Sequence, residues 1–301
     1  MKSDPVSPIV SEKEKVWHLG LTGWPLGHSL SPCLHQTALN SLGLTGDYQL
    51  FPIPTTVHVD ITLKALLSAV RIGNLDGLNV TVPYKQTIIQ FLDRLSAPAQ
   101  AVGAVNTIYL KDDLLVGDNT DLYGFQTDLA RLESNVTPIQ NGQALVIGAG
   151  GSARAVVYVL LQRGWSVTVA ARRISQAEEL TASFKEFSSN LKTIQLEDID
   201  HLKDASLIVN ATPIGMYPET QNSPWPTGVP LPNNALVYDL IYNPHQTLFV
   251  QSAPIGMNGL GMLVEQAARS FELWTGLTAP REAMREAANK QLEAFRQKSE
   301  L

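Results

Sequence analysis

Three observations predict an α/β protein. Short apolar, β-branched runs alternate with helix-spaced stretches over the first 120 residues; a second alternation starts around a Gly-rich turn at 148–153; and from Leu263 onward the pattern is helical. The chain has 301 residues, 44% of them hydrophobic, enough for a substantial core. With 22 Lys plus Arg against 28 Asp plus Glu, the net charge of -6 gives no global attraction for nucleic acid or an anionic membrane, so neither is expected as a partner. One cysteine, Cys33, excludes an internal disulfide and a structural zinc site, and no metal is expected. The first residues carry charges where a secretory signal needs an apolar stretch, and runs such as Ala155 to Leu161 fall short of the roughly 20 residues that span a bilayer. A soluble, cytoplasmic protein is the expectation.

Residues 1–15 mix Pro, Ser, Glu and Lys without periodicity and are expected to be a tail. Val16 to Leu21 reads as a strand ending at Gly23-Trp24-Pro25. Ser31 is placed as an N-cap with Pro32 at the first helical position, and Cys33 as a small core residue of that helix. Tyr48 to Ile53 reads as a strand, 57–72 as a helix, and Gly77 to Val82 as a strand. Pro83 is expected to start a helix carrying Ile88, Ile89, Leu92 and Leu95. A boundary is expected near Asp121 to Asp128. After Asn141-Gly142 come strands at Ala144 to Ile147 and Val167 to Ala171, separated by a helical stretch that Gly164 ends. Leu207 to Asn210 and Leu236 to Leu240 read as further strands.

The strand, glycine turn and helix at Ala144 to Leu161 form the strongest architectural signal. Gly148 and Gly150 permit a tight turn and a close approach of backbone N–H groups to a pyrophosphate, and Ala153 lets the helix pack on the strand. An NAD site carries an acid at the end of the next strand; here Ala170-Ala171-Arg172-Arg173 stands instead, and two guanidinium groups suit the 2′-phosphate of NADP.

Four motifs of the first half carry polar groups at strand–helix junctions: Gly23-Trp24-Pro25-Leu26-Gly27-His28-Ser29-Leu30-Ser31-Pro32, Gly77-Leu78-Asn79-Val80-Thr81-Val82-Pro83-Tyr84-Lys85, Gly103-Ala104-Val105-Asn106-Thr107 and Gly117-Asp118-Asn119-Thr120-Asp121. Three more follow: Asn210-Ala211-Thr212-Pro213-Ile214-Gly215-Met216, Asp239-Leu240-Ile241-Tyr242-Asn243-Pro244, and Gly259-Leu260-Gly261-Met262-Leu263-Val264-Glu265-Gln266-Ala267. In this order they resemble the shikimate dehydrogenase family, from about Trp17 to the final helices.

The resemblance implies an N-terminal α/β substrate domain (16–124, completed by about 263–301) and a Rossmann-like, doubly wound NADP-binding domain (125–262), with the C-terminal helices returning to the first domain. It implies reversible reduction of 3-dehydroshikimate to shikimate with NADPH. Ser29 and Ser31 would take the substrate carboxylate, with Thr81, Lys85, Asn106, Asp121 and Gln266 around the hydroxyls and reacting carbonyl, and Tyr242 beside them. Gly148, Ala149, Gly150, Gly151 and Ser152, then Ala171, Arg172, Arg173, Ile174, Ser175 and Gln176, then Leu240 and Gly259, would line the cofactor. The sequence departs from the family at Ala171-Arg172-Arg173, where Asn-Arg-Thr is common, and at Gln36, where Asn is common.

Elementary chemistry points to the same residues. Hydride addition to a ketone builds negative charge on oxygen, and Lys85 can supply a proton there; Asp121 can orient the lysine or share the proton. Which of them transfers it is left open, as is monomer against homodimer. Within enzymes the alternative is a dual-specificity quinate/shikimate dehydrogenase; outside them, a dinucleotide-sensing regulator that lost its chemistry. His28, His35, Trp165, Trp225 and Trp274 are expected to serve packing or loops.

Overall fold

Chain order alternates strand and helix twice, and each round builds its own sheet. The computed structural model describes residues 15–56, 58–134, 142–202, 204–233 and 235–299. The first round comprises β1 (Trp17–Gly23), α1 (Ser31–Ser41), β2 (Gly46–Pro52), α2 (Val59–Arg71), β3 (Gly77–Val80), β4 (Arg94–Leu95), α3 (Ala97–Val102), β5 (Thr107–Lys111) and β6 (Leu114–Asp118). Helix α4 (Thr120–Ser134) then leads to β7 (Gln143–Ile147), α5 (Gly151–Gln162), β8 (Ser166–Ala171), α6 (Ile174–Ala182), β9 (Leu191–Gln195), β10 (Leu207–Asn210), β11 (Leu236–Asp239), α7 (Leu248–Gln251) and β12 (Ile255–Asn258). Two helices, α8 (Leu260–Thr275) and α9 (Arg281–Ser299), complete the chain.

Among the described residues these strands form two six-stranded sheets. The first, ordered β2-β1-β3-β5-β6-β4, is mixed: β1 pairs in parallel with β2 and β3, whereas β5 runs antiparallel to β3 and β6. The second, β12-β11-β10-β7-β8-β9, is wholly parallel. Its order reverses between β7 and β10, where a doubly wound sheet opens a crevice at the strand ends. Register places Ile147 opposite both Ala170 and Asn210, so the glycine turn after β7 lies between the ends of β8 and β10.

The parallel sheet is covered on both faces. Val156, Leu160, Trp165, Leu180 and Phe184 pack on one side; Ile199, Trp225, Val237 and Phe249 pack on the other. The C-terminal helices lie against the first sheet, not the second. Val264, Phe271, Trp274, Met284 and Leu292 join Leu19, Leu21, Leu34 and Leu39 in one core, and the Trp274 indole donates to Ile108 O at 3.0 Å. Each fully buried side chain of that size contributes about 1.5–3 kcal/mol, which fixes where α8 returns. Gly276, at φ 72°, ends α8 in the left-handed conformation that glycine adopts without strain.

Several local expectations differ from what forms. Pro83 starts no α-helix: a single 3₁₀ turn covers Thr87–Phe91, and Leu95 belongs to β4. The helical spacing is real, but Ile88, Ile89, Leu92 and Leu95 enter the core from separate turns. Tyr84 donates its hydroxyl to Ile53 O, and Leu95 pairs with Gly117, so tertiary contacts override the local pattern. Ser31 is the first helical residue, and Leu30 is the N-cap; the hydroxyl that accepts a backbone bond is that of Ser29, from Ser31 N at 3.2 Å. Cys33 is half-buried, because the face of α1 turned to the core carries Leu34, His35, Ala38 and Leu39. The last helical region starts at Leu260, ahead of Leu263. Of the tail, residues 1–14 lie outside the described residues, as does Asn141; Lys15 pairs with Asp76 at 2.9 Å. Trp165, Trp225 and Trp274 are buried, as packing residues are.

Candidate active site

Lys85, just past β3 in the first sheet, and Asp121, in the first turn of α4, meet at 2.6 Å between Nζ and Oδ2. Their side chains are only 12% and 7% exposed, so the pair is largely withdrawn from water and screening. The other carboxylate oxygen of Asp121 accepts from Asn106 Nδ2 at 2.9 Å. The amide orientation follows from chemistry: Thr120 N can only donate, so the atom facing it at 2.8 Å is Asn106 Oδ1, and the NH₂ must face Asp121. Asn106, immediately before β5, thereby satisfies an N-terminal N–H of α4 and orients the acid one residue on.

From Asn106 a buried chain of hydrogen bonds continues. Its Nδ2 also reaches Gln266 Oε1 at 3.3 Å, on α8. Thr107 Oγ1 and Ser270 Oγ lie 2.7 Å apart, and Asn79 Nδ2 donates to Ser270 Oγ at 3.1 Å. The Tyr48 hydroxyl donates to Asn79 Oδ1 at 2.8 Å. Burial raises the Tyr48 phenol well above its ordinary range, and the nearby Ser31 hydroxyl opposes that shift. Beyond Tyr48 lies the buried ring of His35, stacked on the phenol at 4.4 Å between centroids. Burial pulls this imidazole down to about 3, so it is neutral; Asn79 acts against the shift, and neither ring nitrogen has a well-formed hydrogen bond among the described residues. His28 is a loop residue whose ring meets Tyr217 edge-on at 4.8 Å.

Tyr242, in the loop between β11 and Thr247, the cap of α7, leaves the end of the parallel sheet and packs into the core of the first. Burial raises its phenol, opposed by the Leu30 backbone, which places it beside the Ser29–Ser31 loop. Thr81 sits just past the end of β3, half-buried, and its hydroxyl makes no hydrogen bond among the described residues. Lys85, Asn106, Asp121 and Gln266 are thus joined directly, and Ser31 lies near Tyr48 at the far end of the chain, while the Thr81 hydroxyl has no partner among the described residues. The sequence reading passed over Tyr48 and Ser270 as site residues. Ser270 carried a signal, lying one helical turn beyond Gln266 on α8; Tyr48 carried none.

The second region has a different character. Gly148, at φ 112°, turns in the left-handed region, and a Cβ there would lie 2.9 Å from Ala211 O. A Cβ on Gly150 would meet nothing within 4 Å, so no protein neighbour requires glycine there. Helix α5 begins after it with no side-chain cap, and its first N–H groups are free to bind an anion. Helix α6 likewise starts uncapped, directly after Arg172 and Arg173; both are exposed, and neither is paired with a carboxylate among the described residues. Ala171 is buried at the end of β8, with Ile174, Ser175 and Gln176 opening α6. The Leu240 backbone lies against Gly259, a contact that only glycine at 259 allows. Two open helix N-termini, a pocket of space over Gly150 and two unpaired cations fit a dinucleotide with an extra phosphate.

One carboxylate in this region is buried without a cation. Asp239 accepts from Asn210 Nδ2 at 2.9 Å, Ile241 N at 3.1 Å and Thr247 Oγ1 at 2.6 Å. Desolvation raises it to about 6, against which those three donors work. Among the described residues no cluster of His, Cys, Asp and Glu could hold a metal ion, and no helix is long and apolar enough to cross a membrane.

Comparison with known proteins agrees with this geometry. Residues 21–108 match the model of the shikimate dehydrogenase substrate binding domain, 129–217 that of shikimate / quinate 5-dehydrogenase, and 259–288 that of the shikimate 5'-dehydrogenase C-terminal domain. The shikimate dehydrogenase (NADP(+)) of Desulforamulus reducens is 40% identical, covering 91% of this chain and 94% of its own. The crystal structure of shikimate 5-dehydrogenase from Thermus thermophilus, in complex with NADP(H) and shikimate, is 35% identical with a TM-score of 0.78, covering 92% of this chain and 100% of that one. Quinate dehydrogenase from Corynebacterium glutamicum, in complex with NAD, is 29% identical with a TM-score of 0.80, covering 91% and 99%. With the buried Lys85–Asp121 pair set against the glycine turn that follows β7, and relatives of this identity aligned over nearly its whole length, the chain belongs to the shikimate dehydrogenase family.

Proposed function

We propose that this protein is an NADP-dependent oxidoreductase that reversibly converts 3-dehydroshikimate to shikimate. The observation that carries the reading is the Lys85–Asp121 pair placed against the glycine turn, at 3.0 Å from Ser152 Oγ. When bound, the nicotinamide supplies the hydride. Everything else falls to the chain. The Lys85 ammonium has three N–H donors; Asp121 Oδ2 and Ser152 Oγ take two, leaving one for the substrate oxygen. As hydride addition builds charge on that oxygen, Lys85 gives it a proton, and in the reverse direction takes one back. Asp121, accepting from both Lys85 and Asn106, orients the ammonium and leaves delivery of the proton to Lys85.

We assign the substrate carboxylate to Ser29, Ser31 and Tyr242, and a ring hydroxyl to the free hydroxyl of Thr81. Gln266 joins through its NH₂ group, since its Oε1 already accepts from Asn106. The pyrophosphate is assigned to Gly148 through Ser152, and the 2′-phosphate to Arg172 and Arg173 at the start of α6, with Leu240 and Gly259 lining the nicotinamide end. Every group comes from one chain, so a monomer or a homodimer can work, and we place the enzyme in the cytoplasm.

A second reading, dual use of quinate, is favoured by the likeness to a quinate dehydrogenase. The two substrates differ at the carbon bearing the carboxylate, flat in shikimate and tetrahedral with an added hydroxyl in quinate. The Ser29–Ser31 loop is held between the start of α1 and Tyr242, and we read so constrained a loop as suited to the flat acid. Oxidation of both substrates, followed by NADPH absorbance, tests this. We expect kcat/KM for shikimate about a hundredfold above quinate. Quinate within about tenfold would make dual specificity the better description.

A further inference from the structure

The end of the glycine turn touches the catalytic lysine directly. Lys85 belongs to the first sheet's region and Ser152 to the second, 67 residues further on, yet Lys85 Nζ donates to Ser152 Oγ at 3.0 Å. The preceding residue makes a second contact of a different kind. A Cβ built on Gly151 would lie 3.0 Å from both Cβ and Cδ of Lys85 and 3.5 Å from its Cγ, and these three carbons would be its nearest neighbours. Gly151 has no positive φ, so its backbone conformation does not demand glycine. What favours glycine is the aliphatic stem of Lys85 lying across its Cα, which an added Cβ would push aside by a few tenths of an ångström. Gly148 and Gly150 each differ from it on one count, Gly148 being needed for its backbone angle and Gly150 facing open space.

From these contacts we propose that Gly151 and Ser152 are positioning residues for Lys85: the cofactor turn itself cradles the lysine stem and holds the ammonium. The role rests on the reading of Lys85 as proton donor, and it goes beyond holding a phosphate. An ammonium on a four-carbon stem has many rotamers, and Asp121 alone fixes one of its three N–H directions. Ser152 fixes a second, and Gly151 fixes the path of the stem, so the third N–H points one way. Because the two anchors come from opposite sides of the cleft, Lys85 is aligned only when the two sheets' regions are together. Proton transfer is thereby tied to closure without any residue that moves on its own.

Three variants test it: Ser152→Ala, Ser152→Thr and Gly151→Ala, each measured for kcat and KM with shikimate, for NADP affinity by titration, and for the acylation rate of Lys85 in the cofactor-free protein by a small anhydride, read by peptide mass. Loss of a hydrogen bond to a charged group corresponds to about a tenfold fall in kcat for Ser152→Ala at saturating NADP, over and above any loss of NADP affinity. Lys85 should acylate about threefold faster or more, since one anchor of the ammonium is gone. Ser152→Thr, which keeps the hydroxyl, should restore kcat and slow acylation. Gly151→Ala should lower kcat at least as far as Ser152→Ala. NADP affinity falling about tenfold with kcat and acylation unchanged would make Ser152 a phosphate ligand alone and overturn the proposal; so would three silent variants. Ala is a good helix former at position 152, so Ser152→Ala remains decisive even if Gly151→Ala fails to fold. The acylation measurement needs neither substrate nor cofactor. It therefore decides this role even if the unaltered protein does not oxidise shikimate, an outcome that would sink the function instead.

Discussion

The substrate and cofactor regions solve opposite problems with polar groups. Around Lys85, polar side chains satisfy one another: Asp121 has both oxygens engaged, Asn106 uses both ends of its amide, and Ser270, Thr107 and Asn79 close a chain that reaches Tyr48. Around the glycine turn they are left open: two uncapped helix starts and two exposed arginines without carboxylate partners among the described residues. The difference follows from what each ligand brings. A dinucleotide carries its own anions, which complete backbone donors and cations on arrival. A small polyol and a proton transfer need geometry fixed beforehand, which only a fully paired network supplies. Chemistry should therefore be lost by breaking the closed network, and cofactor choice by stripping the open one.

The largest expected effect breaks the closed side. Lys85→Met keeps the stem over Gly151 and removes the ammonium; kcat should fall by roughly 10² or more, with NADPH binding nearly unchanged. A titration in which cofactor affinity collapses while kcat survives would erase the contrast between the regions.

Asp239 sharpens the comparison, because it is a closed site inside the open region. Unlike Asp121 it has only neutral donors, and its folded value of about 6 lies above the ordinary 3.8. A raised folded pKa stabilises the protonated form, so its contribution is fully present below about pH 4 and is lost as pH rises through about 6. The loss is on the order of 3 kcal/mol. Asp239→Asn keeps an acceptor for Asn210 and Ile241 and can donate to Thr247. Its melting temperature should exceed that of the unaltered protein at pH 8 and converge with it near about pH 4.5. A gap that did not depend on pH would mean the carboxyl is not held protonated.

The smallest effect is on the open side. Arg172→Ala with Arg173→Ala should reduce a preference for NADP over NAD of at least about tenfold in kcat/KM, about 1.4 kcal/mol, to near parity. Because both guanidinium groups are exposed, the preference should also weaken with added salt. Equal use of the two cofactors by the unaltered enzyme would show that the arginines merely decorate the surface.

Much of this was legible residue by residue. The apolar period announced the two rounds of strand and helix, and the glycine turn announced the strand–turn–helix at 144–161, since each depends on neighbours within a few positions. Lys85, Asp121, Asn106 and Gln266 could be named from their motifs. The helix expected after Pro83 could not be corrected from sequence, because what displaced it was the pairing of Leu95 with Gly117 and the reach of Tyr84 to Ile53.

What the amino-acid sequence determined by itself was therefore local: the type of most main elements, the open turn, and the inventory of groups able to do chemistry. What the tertiary structure decided was which of those groups face one another. Lys85 and Asp121 are 36 residues apart, Lys85 and Ser152 are 67 apart, and Asn106 and Gln266 are 160 apart. No periodicity extends over such separations. They are closed by the register of two sheets and by the burial that brings α8 back onto the first of them, and those are properties of packed surfaces rather than of any stretch of chain.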